Sequence, residues 1–338
     1  MNTELSAIMN QSGRMVDWAN AIKYSPAELT AEDKEISAVT DAWVRELGKT
    51  GYDKDHELSA LITKTFTPET VSAPSELIDM LFDNDSIGEF DDYRVTVDPK
   101  NTIQVYDAIT GGNVPRSFID HKVLKPTFCT LQAETSLTLE QIRRGGYKTV
   151  ANMITHINEA FELERVSRII DVIDKALADG DNVFNEAEAV PSDTVCRNLA
   201  TYLMDVAENG ETPAIFGQNK YIVGMTNLPS AVTGLSNEVK NQYNKLGKFE
   251  LYAGCRLFGL SGVKKLANGN FIIPDKRLFA AAGKIGKVIT RGETRTYQET
   301  DINNEQIHIK VSGYSFGSVI TDISKAAKVV YADRKSVV

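Results

Sequence analysis

Side chains suited to chemistry are few in this chain, and they are dispersed. Histidines stand at positions 56, 121, 156 and 308, without the His-x-x-x-His or Cys-x-x-Cys spacing that converges on a metal ion. His156 falls beside Ile157 on a helical pattern, where a packing or surface role is the simple reading. Cys129, Cys196 and Cys255 lie far apart and leave an odd thiol, which argues against a disulfide framework and fits a reducing compartment. Each reads as a small buried apolar residue. Gly283-Lys284-Ile285-Gly286-Lys287-Val288 sets lysines among glycines, as a phosphate-cradling loop does. Its glycine spacing is wrong, and Val288 stands where a hydroxyl would hold magnesium, so it reads as a turn. No nucleophile elbow and no dinucleotide-binding fingerprint are expected. Glu162 and Glu164 fall on different helix faces and read as solvated. Catalytic residues, cofactors and metal ligands are therefore all read as none, although catalytic groups can also assemble from distant positions.

Any such groups would have to be positioned by one dominant element, the stretch from Thr138 to Gly180. Apolar residues return at Val150, Ile154, Ile157, Phe161, Ile169, Val172 or Ile173, and Ala176 or Leu177, the threes and fours of a helix with one buried stripe. From Tyr147 to Ala178 that helix would extend about 48 Å at 1.5 Å per residue. Thr138 with Gln141 predicts a capping box, Gly145 and Gly146 predict a kink after a short leading turn, and Gly180 marks the stop. A coiled coil is disfavoured, because Glu162-Leu163-Glu164-Arg165 blurs the seam.

The remainder is organised around that beam. Residues 1–85 read as short amphipathic helices, at Glu32 to Leu47 and Glu76 to Phe82, too thin to form a core alone. Between Asp91 and Leu137 the period turns to alternation. Tyr93 to Val97 and Thr102 to Tyr106 read as strands around an Asp98-Pro99-Lys100-Asn101 turn, and Lys122 to Leu131 as a returning extended run. After the long helix, Asn182 to Val190 reads as a polar link and Ser192 as the cap of a helix from Asp193 to Glu208. Strands are predicted at Ala214 to Phe216, Tyr221 to Met225, Lys248 to Leu260 and Phe271 to Pro274, with a helix from Ser230 to Leu246. These make a compact α+β unit over about 191–285. Late strands follow at Thr294 to Thr300, Gln306 to Val311 and Tyr314 to Ile323, and Asp322 to Val330 closes the chain. The late strands are expected to lie along the long helix.

Composition narrows the function classes. The 338 residues, 42% hydrophobic, can bury a large core. No run of 18 apolar residues spans a membrane, and no secretory signal is read at 1–18. The net charge of −9 is unevenly spread. Residues 1–100 carry 20 acids against 9 bases, 101–240 carry 18 against 12, and 241–338 carry 8 against 16. An acidic front could thus meet the basic rear of another copy. No basic strip interleaved with aromatics supports sequence-specific nucleic-acid readout.

The order of parts is itself informative: acidic helical arm, extended excursion, abrupt long helix, compact α+β unit, returning strands. It resembles the major capsid protein of tailed bacteriophages, the HK97-like fold. Local sequence carries the resemblance at Leu124-Lys125-Pro126-Thr127-Phe128-Cys129-Thr130-Leu131 leading to Thr138-Leu139-Glu140-Gln141-Ile142-Arg143-Arg144-Gly145-Gly146, at Phe271 to Asp275, and at Gly313-Tyr314-Ser315-Phe316-Gly317. The likeness covers about residues 85–338. It implies an α+β chain divided into an N-terminal arm at 1–88, an extended loop at 89–137, a spine helix with the first part of a peripheral domain at 138–190, an axial domain at 191–285, and the rest of the peripheral domain at 286–338.

The resemblance also implies a non-enzymatic shell subunit that forms hexamers and pentamers around double-stranded DNA. Its partners would be further copies of itself, scaffolding, portal and decoration proteins, and packaged DNA contacted without sequence preference. It would involve no membrane, and its place would be the virion capsid, assembled in the host bacterial cytoplasm. Ile154, Ile157, Phe161, Ile169 and Ile173 form the expected structural spine. Lys100, Lys122, Lys125, Arg143, Arg144, Glu69, Asp79 and Asp83 are the candidate contacts between subunits. Two alternatives stand beside this reading: an encapsulin-like nanocompartment shell, and a cytosolic α+β enzyme whose site leaves no motif.

Overall fold

In the computed structural model the described residues are 17–22, 29–50, 76–97, 121–177, 182–208, 210–228, 251–260, 265–266, 268–292, 295–301 and 306–332. Their longest helix is α4 (Tyr147–Ala176), which follows α1 (Ala31–Thr50), α2 (Glu76–Leu81) and α3 (Leu139–Gly145). The start of α3 is built as the sequence predicts. Thr138 N donates to Gln141 Oε1 at 3.0 Å, and Gln141 N donates to Thr138 Oγ1 at 3.1 Å, satisfying two helix-end donors reciprocally. Gly146 then breaks α3 from α4 with φ 56° and ψ −142°, a conformation that side chains disfavour. The helix closes at Ala176, where Leu177 N donates to Ile173 O at 3.0 Å; the expected stop at Gly180 lies outside the described residues.

Two sheets flank this helix. The first contains β1 (Phe82–Ile87), β4 (Thr127–Thr138), β10 (Gly286–Arg291), β11 (Arg295–Asp301) and β12 (Gln306–Ile320). Strand β12 is its axis. Along one side it pairs with β4 for nearly its whole length; along the other it pairs first with β11 and then with β10, which carries β1 in parallel at the edge. The two strands expected around residues 311 and 314 are therefore one strand with an irregularity between Val311 and Tyr314.

The second sheet runs in the order β5 (Val183–Glu186), β13 (Ala326–Tyr331), β9 (Arg277–Ala282), β6 (Pro213–Gln218), β8 (Cys255–Leu260) and β7 (Leu251–Tyr252). Helices α5 (Asp193–Val206) and α6 (Asn219–Thr226) pack on it. A two-stranded hairpin of β2 (Val95–Val97) and β3 (Lys122–Leu124) is hydrogen-bonded into neither sheet.

Several sequence expectations are corrected here. Tyr221 to Met225 is helical rather than extended. Tyr221, Ile222 and Met225 share one buried helical face, and that packing overrides their strand propensity. The link at 182–190 holds a strand: β5 pairs with β13, while Asn182 Nδ2 donates to Ala326 O at 3.0 Å. Phe271 to Pro274 is no strand beyond a single bridge from Phe271 to Lys265. It is anchored instead by Ile272, Ile273 and the 3.1 Å bond from Gln218 Nε2 to Ile273 O. The closing strand β13 does not return to the first sheet. It sits between β5 and β9 in the second, so the unit placed at 191–285 draws strands from both flanking segments. The expected returning run splits at Lys125 and Pro126 into β3 and β4. The strand at Thr102 to Tyr106, the helix at Ser230 to Leu246 and the start of the run at Lys248 lie outside the described residues.

Candidate functional site

Three features could present this chain to partners: the base of the β2–β3 hairpin, the spine helix, and a groove between that helix and β4. At the hairpin base, acids and bases from opposite ends of the sequence interlock. Asp83 pairs with Lys284, Asp85 with Lys287 at 3.2 Å, and Glu89 with Arg295 at 2.9 Å. Arg291 Nε also donates to Glu89 O at 2.7 Å. These pairs follow from the parallel register of β1 on β10, which sets Phe82 opposite Gly286 and Ile87 opposite Arg291. Tyr93 donates its hydroxyl to Asp85, and that bond, opposed by burial and aided by Lys287, holds the Asp85 carboxyl below the usual carboxylate range.

The candidate contact residues are placed individually as follows. Asp83 is already paired within its own chain, and Asp79 accepts from Asn84 Nδ2 at 2.8 Å. Lys125 lies 3.6 Å from Asp92, across the hairpin base, where Asp92 also binds Arg94 at 2.8 Å. Arg144 pairs with Glu140 one turn before it, at 2.6 Å. Lys122 is exposed on β3 opposite Val97. Arg143 lies on α3, but its side chain is outside the described residues, as are Glu69 and Lys100 altogether. The structure thus joins front and rear charges inside one chain, a closure that residue counts could not reveal.

Ile154, Ile157, Phe161, Ile169 and Ile173 are all buried and belong to one core with Val288, Ile309, Val311, Tyr314 and Phe316. Phe161 meets Tyr314 edge to face, with ring centroids 6.1 Å apart. The helix also packs against α1 near its start, and Tyr147 there lies 6.3 Å from Trp18 of the helical stretch at 17–22. At its far end Asp174 binds Arg277 and Lys328 of the second sheet, the latter at 3.0 Å. Periodicity did not mark Arg165, which is only 1% exposed. Arg165 Nη2 donates to Asn84 Oδ1 at 3.3 Å while its Nε finds no partner, as does the hydroxyl of Tyr314. No local signal in the sequence marks its burial, because its described partner, Asn84, is 81 residues away.

None of the described residues assembles a recognisable catalytic or metal-binding constellation. No group of three or more His, Cys, Asp or Glu residues is suited to a metal among the described residues. Gly313-Tyr314-Ser315-Phe316-Gly317 does match the letters of a nucleophile elbow. Ser315, however, lies within β12, paired with Arg291 and Thr130, whereas an elbow needs a strand-to-helix turn. Gly283 turns the chain with φ 75°, and the lysines of its loop are taken by Asp83 and Asp85. Cys196 and Cys255 are buried, and burial pushes their thiols up to about 12 and about 11. No helix among the described residues is long and apolar enough to cross a membrane.

A groove of ≈ 700 Å³ lies between β4 and the first half of α4. Five consecutive strand residues, 133–137, form one wall, so it follows the edge of β4 rather than one face. The opposite wall carries Met153, Ile157 and Ala160 at helical spacing.

No protein-family model matches the sequence, and no curated protein does. Solved structures do match its fold. A chain from the capsid structure of the cyanophage P-SCSP1u has a TM-score of 0.54 at 10% identity, covering 76% of this chain and 88% of that one. A chain from the capsid of the native GTA particle also has a TM-score of 0.54 at 10% identity, covering 78% and 91%. One from the mature capsid of bacteriophage PhiM1 has a TM-score of 0.50 at 12% identity, covering 74% and 86%. The chain has the α+β HK97-like fold.

Proposed function

We propose that this chain is the major capsid protein of a tailed bacteriophage, a subunit that assembles into hexamers and pentamers of an icosahedral shell around double-stranded DNA. The observation that carries the reading is architectural. A 30-residue spine helix lies against two separate sheets while the β2–β3 pair joins neither, and capsid chains are similar in fold over about three quarters of this one. Physical economy supports it as well. The described part of this element, two strands of three residues each, buries little by itself, and an assembly would give it a partner surface. Other copies of the chain are then its principal partners, with scaffolding, portal and decoration proteins as further ones. Packaged DNA would be touched through counterion release rather than base readout. The site of action is the virion, after assembly in the host cytoplasm.

Electron microscopy of the expressed protein tests the reading. Closed particles of uniform curvature are expected. Uniform monomers under every assembly condition would overturn it.

A further inference from the structure

Phe90 is 90% exposed, at the turn that leads from β1 towards the hairpin. The turn is firmly braced. Gly88 N donates to Asp91 Oδ2 at 2.9 Å, Gly292 N donates to Ile87 O at 3.1 Å, and Glu89 is held by both Arg291 and Arg295. A large ring on a fixed turn loses little conformational freedom on docking, which makes it an efficient anchor.

The groove between β4 and α4 offers a complementary seat. Leu137, Met153, Ile157 and Ala160 line its apolar interior, and its rim carries Arg144 and His156, 81% and 69% exposed. Charge contributes little to the fit, because Glu89 and Asp92 beside the ring already pair with Arg295 and Arg94, while Arg144 on the rim pairs with Glu140 and His156 lies beside Glu159. The match is one of an apolar ring and an apolar seat.

Topology keeps the two features of one molecule apart. Strand β1 is at one edge of the first sheet and β4 at the other, with β10 and β12 between them. Three interstrand spacings amount to about 14 Å. Ring and groove can therefore meet only between copies, and a contact joining different patches is head-to-tail, the kind that closes rings or propagates arrays. We propose that Phe90 of one copy seats in the β4–α4 groove of a second copy. The inference rests on the shell reading and names one of its contacts.

Cysteine pairing in assembled particles tests it. In a Cys129→Ser background, Phe90→Cys is combined with Asn152→Cys, because Asn152 is an exposed residue of the groove. After oxidation, a non-reducing gel is expected to show a ladder of linked copies, absent from either single-cysteine chain. Phe90→Ala is expected to raise the protein concentration needed for assembly about 30-fold, whereas Phe90→Leu retains most of it. Particles without the ladder, or Phe90→Ala chains that assemble at the normal concentration, overturn the contact and leave the shell reading standing. Should the double-cysteine chain fail to assemble, the Ala and Leu comparison decides. If the unsubstituted chain forms no particles, the shell reading fails and takes the contact with it.

Discussion

At the residue scale, the unusual group is Arg165. A guanidinium removed from water needs several donors satisfied, and among the described residues this one has one 3.3 Å bond, to Asn84, and an unpaired Nε. Arg165→Met keeps the length and drops the charge. It is expected to raise the unfolding free energy of the unassembled chain by about 1–4 kcal/mol in urea titration, and a loss of stability would show that the bond to Asn84 outweighs desolvation. Asp85 is the opposite case, a carboxylate whose ionised form the fold favours. Its folded pKa lies below the unfolded value, so its contribution is complete above about pH 4 and is lost as pH falls through the folded value. The stability deficit of Asp85→Asn should accordingly be full at neutral pH and fade in acid, as followed by denaturation at a series of pH values. A deficit that is constant across that range would sink the assignment.

At the element scale, β12 joins the sheet and, through it, the spine. Its final residues lie so close to β10 that a Cβ on Gly286 would sit 2.1 Å from Val319 O, a backbone atom that no side-chain rotation can move. Gly286→Ala must therefore separate β10 from β12, and with β10 the strand on which β1 is paired. A loss of about 1–3 kcal/mol is expected. Hydrogen exchange should show early opening of 82–87 and 286–291; unchanged protection there would mean that the strands adjust at no cost. The spine tolerates less than its single predicted stripe suggests, because α1, the first sheet and the second sheet each take a portion of its surface.

At the scale of the whole molecule, the charge gradient has a different meaning from the one residue counts suggest. Acids at 83, 85 and 89 are matched by bases at 284, 287 and 295 of the same chain, so part of the front-to-rear attraction among the described residues goes into closing the fold. Exposed pairs of this kind contribute only about 0–1 kcal/mol each, and salt weakens them. Assembly of the proposed shell would then depend more on apolar anchors and on the overlap of arms than on bulk charge. Particles seen by electron microscopy should persist at ionic strengths that screen surface pairs.

The long helix, its capping box, the kink at Gly146 and the cap at Ser192 were legible in the sequence because each depends on neighbours within a few residues. So was the alternation of most strands, and the order of parts was enough to suggest an HK97-like fold. Tertiary structure alone decided what depends on residues far apart: that β13 enters the second sheet rather than the first, that Tyr221 to Met225 is helical, and that Asp83 faces Lys284. The burial of Arg165 and the opposite-edge placement of Phe90 and the groove belong to the same class. Local periodicity records which face of an element is apolar. It carries no information about which distant surface covers that face, and that choice is made by the packing of the whole chain.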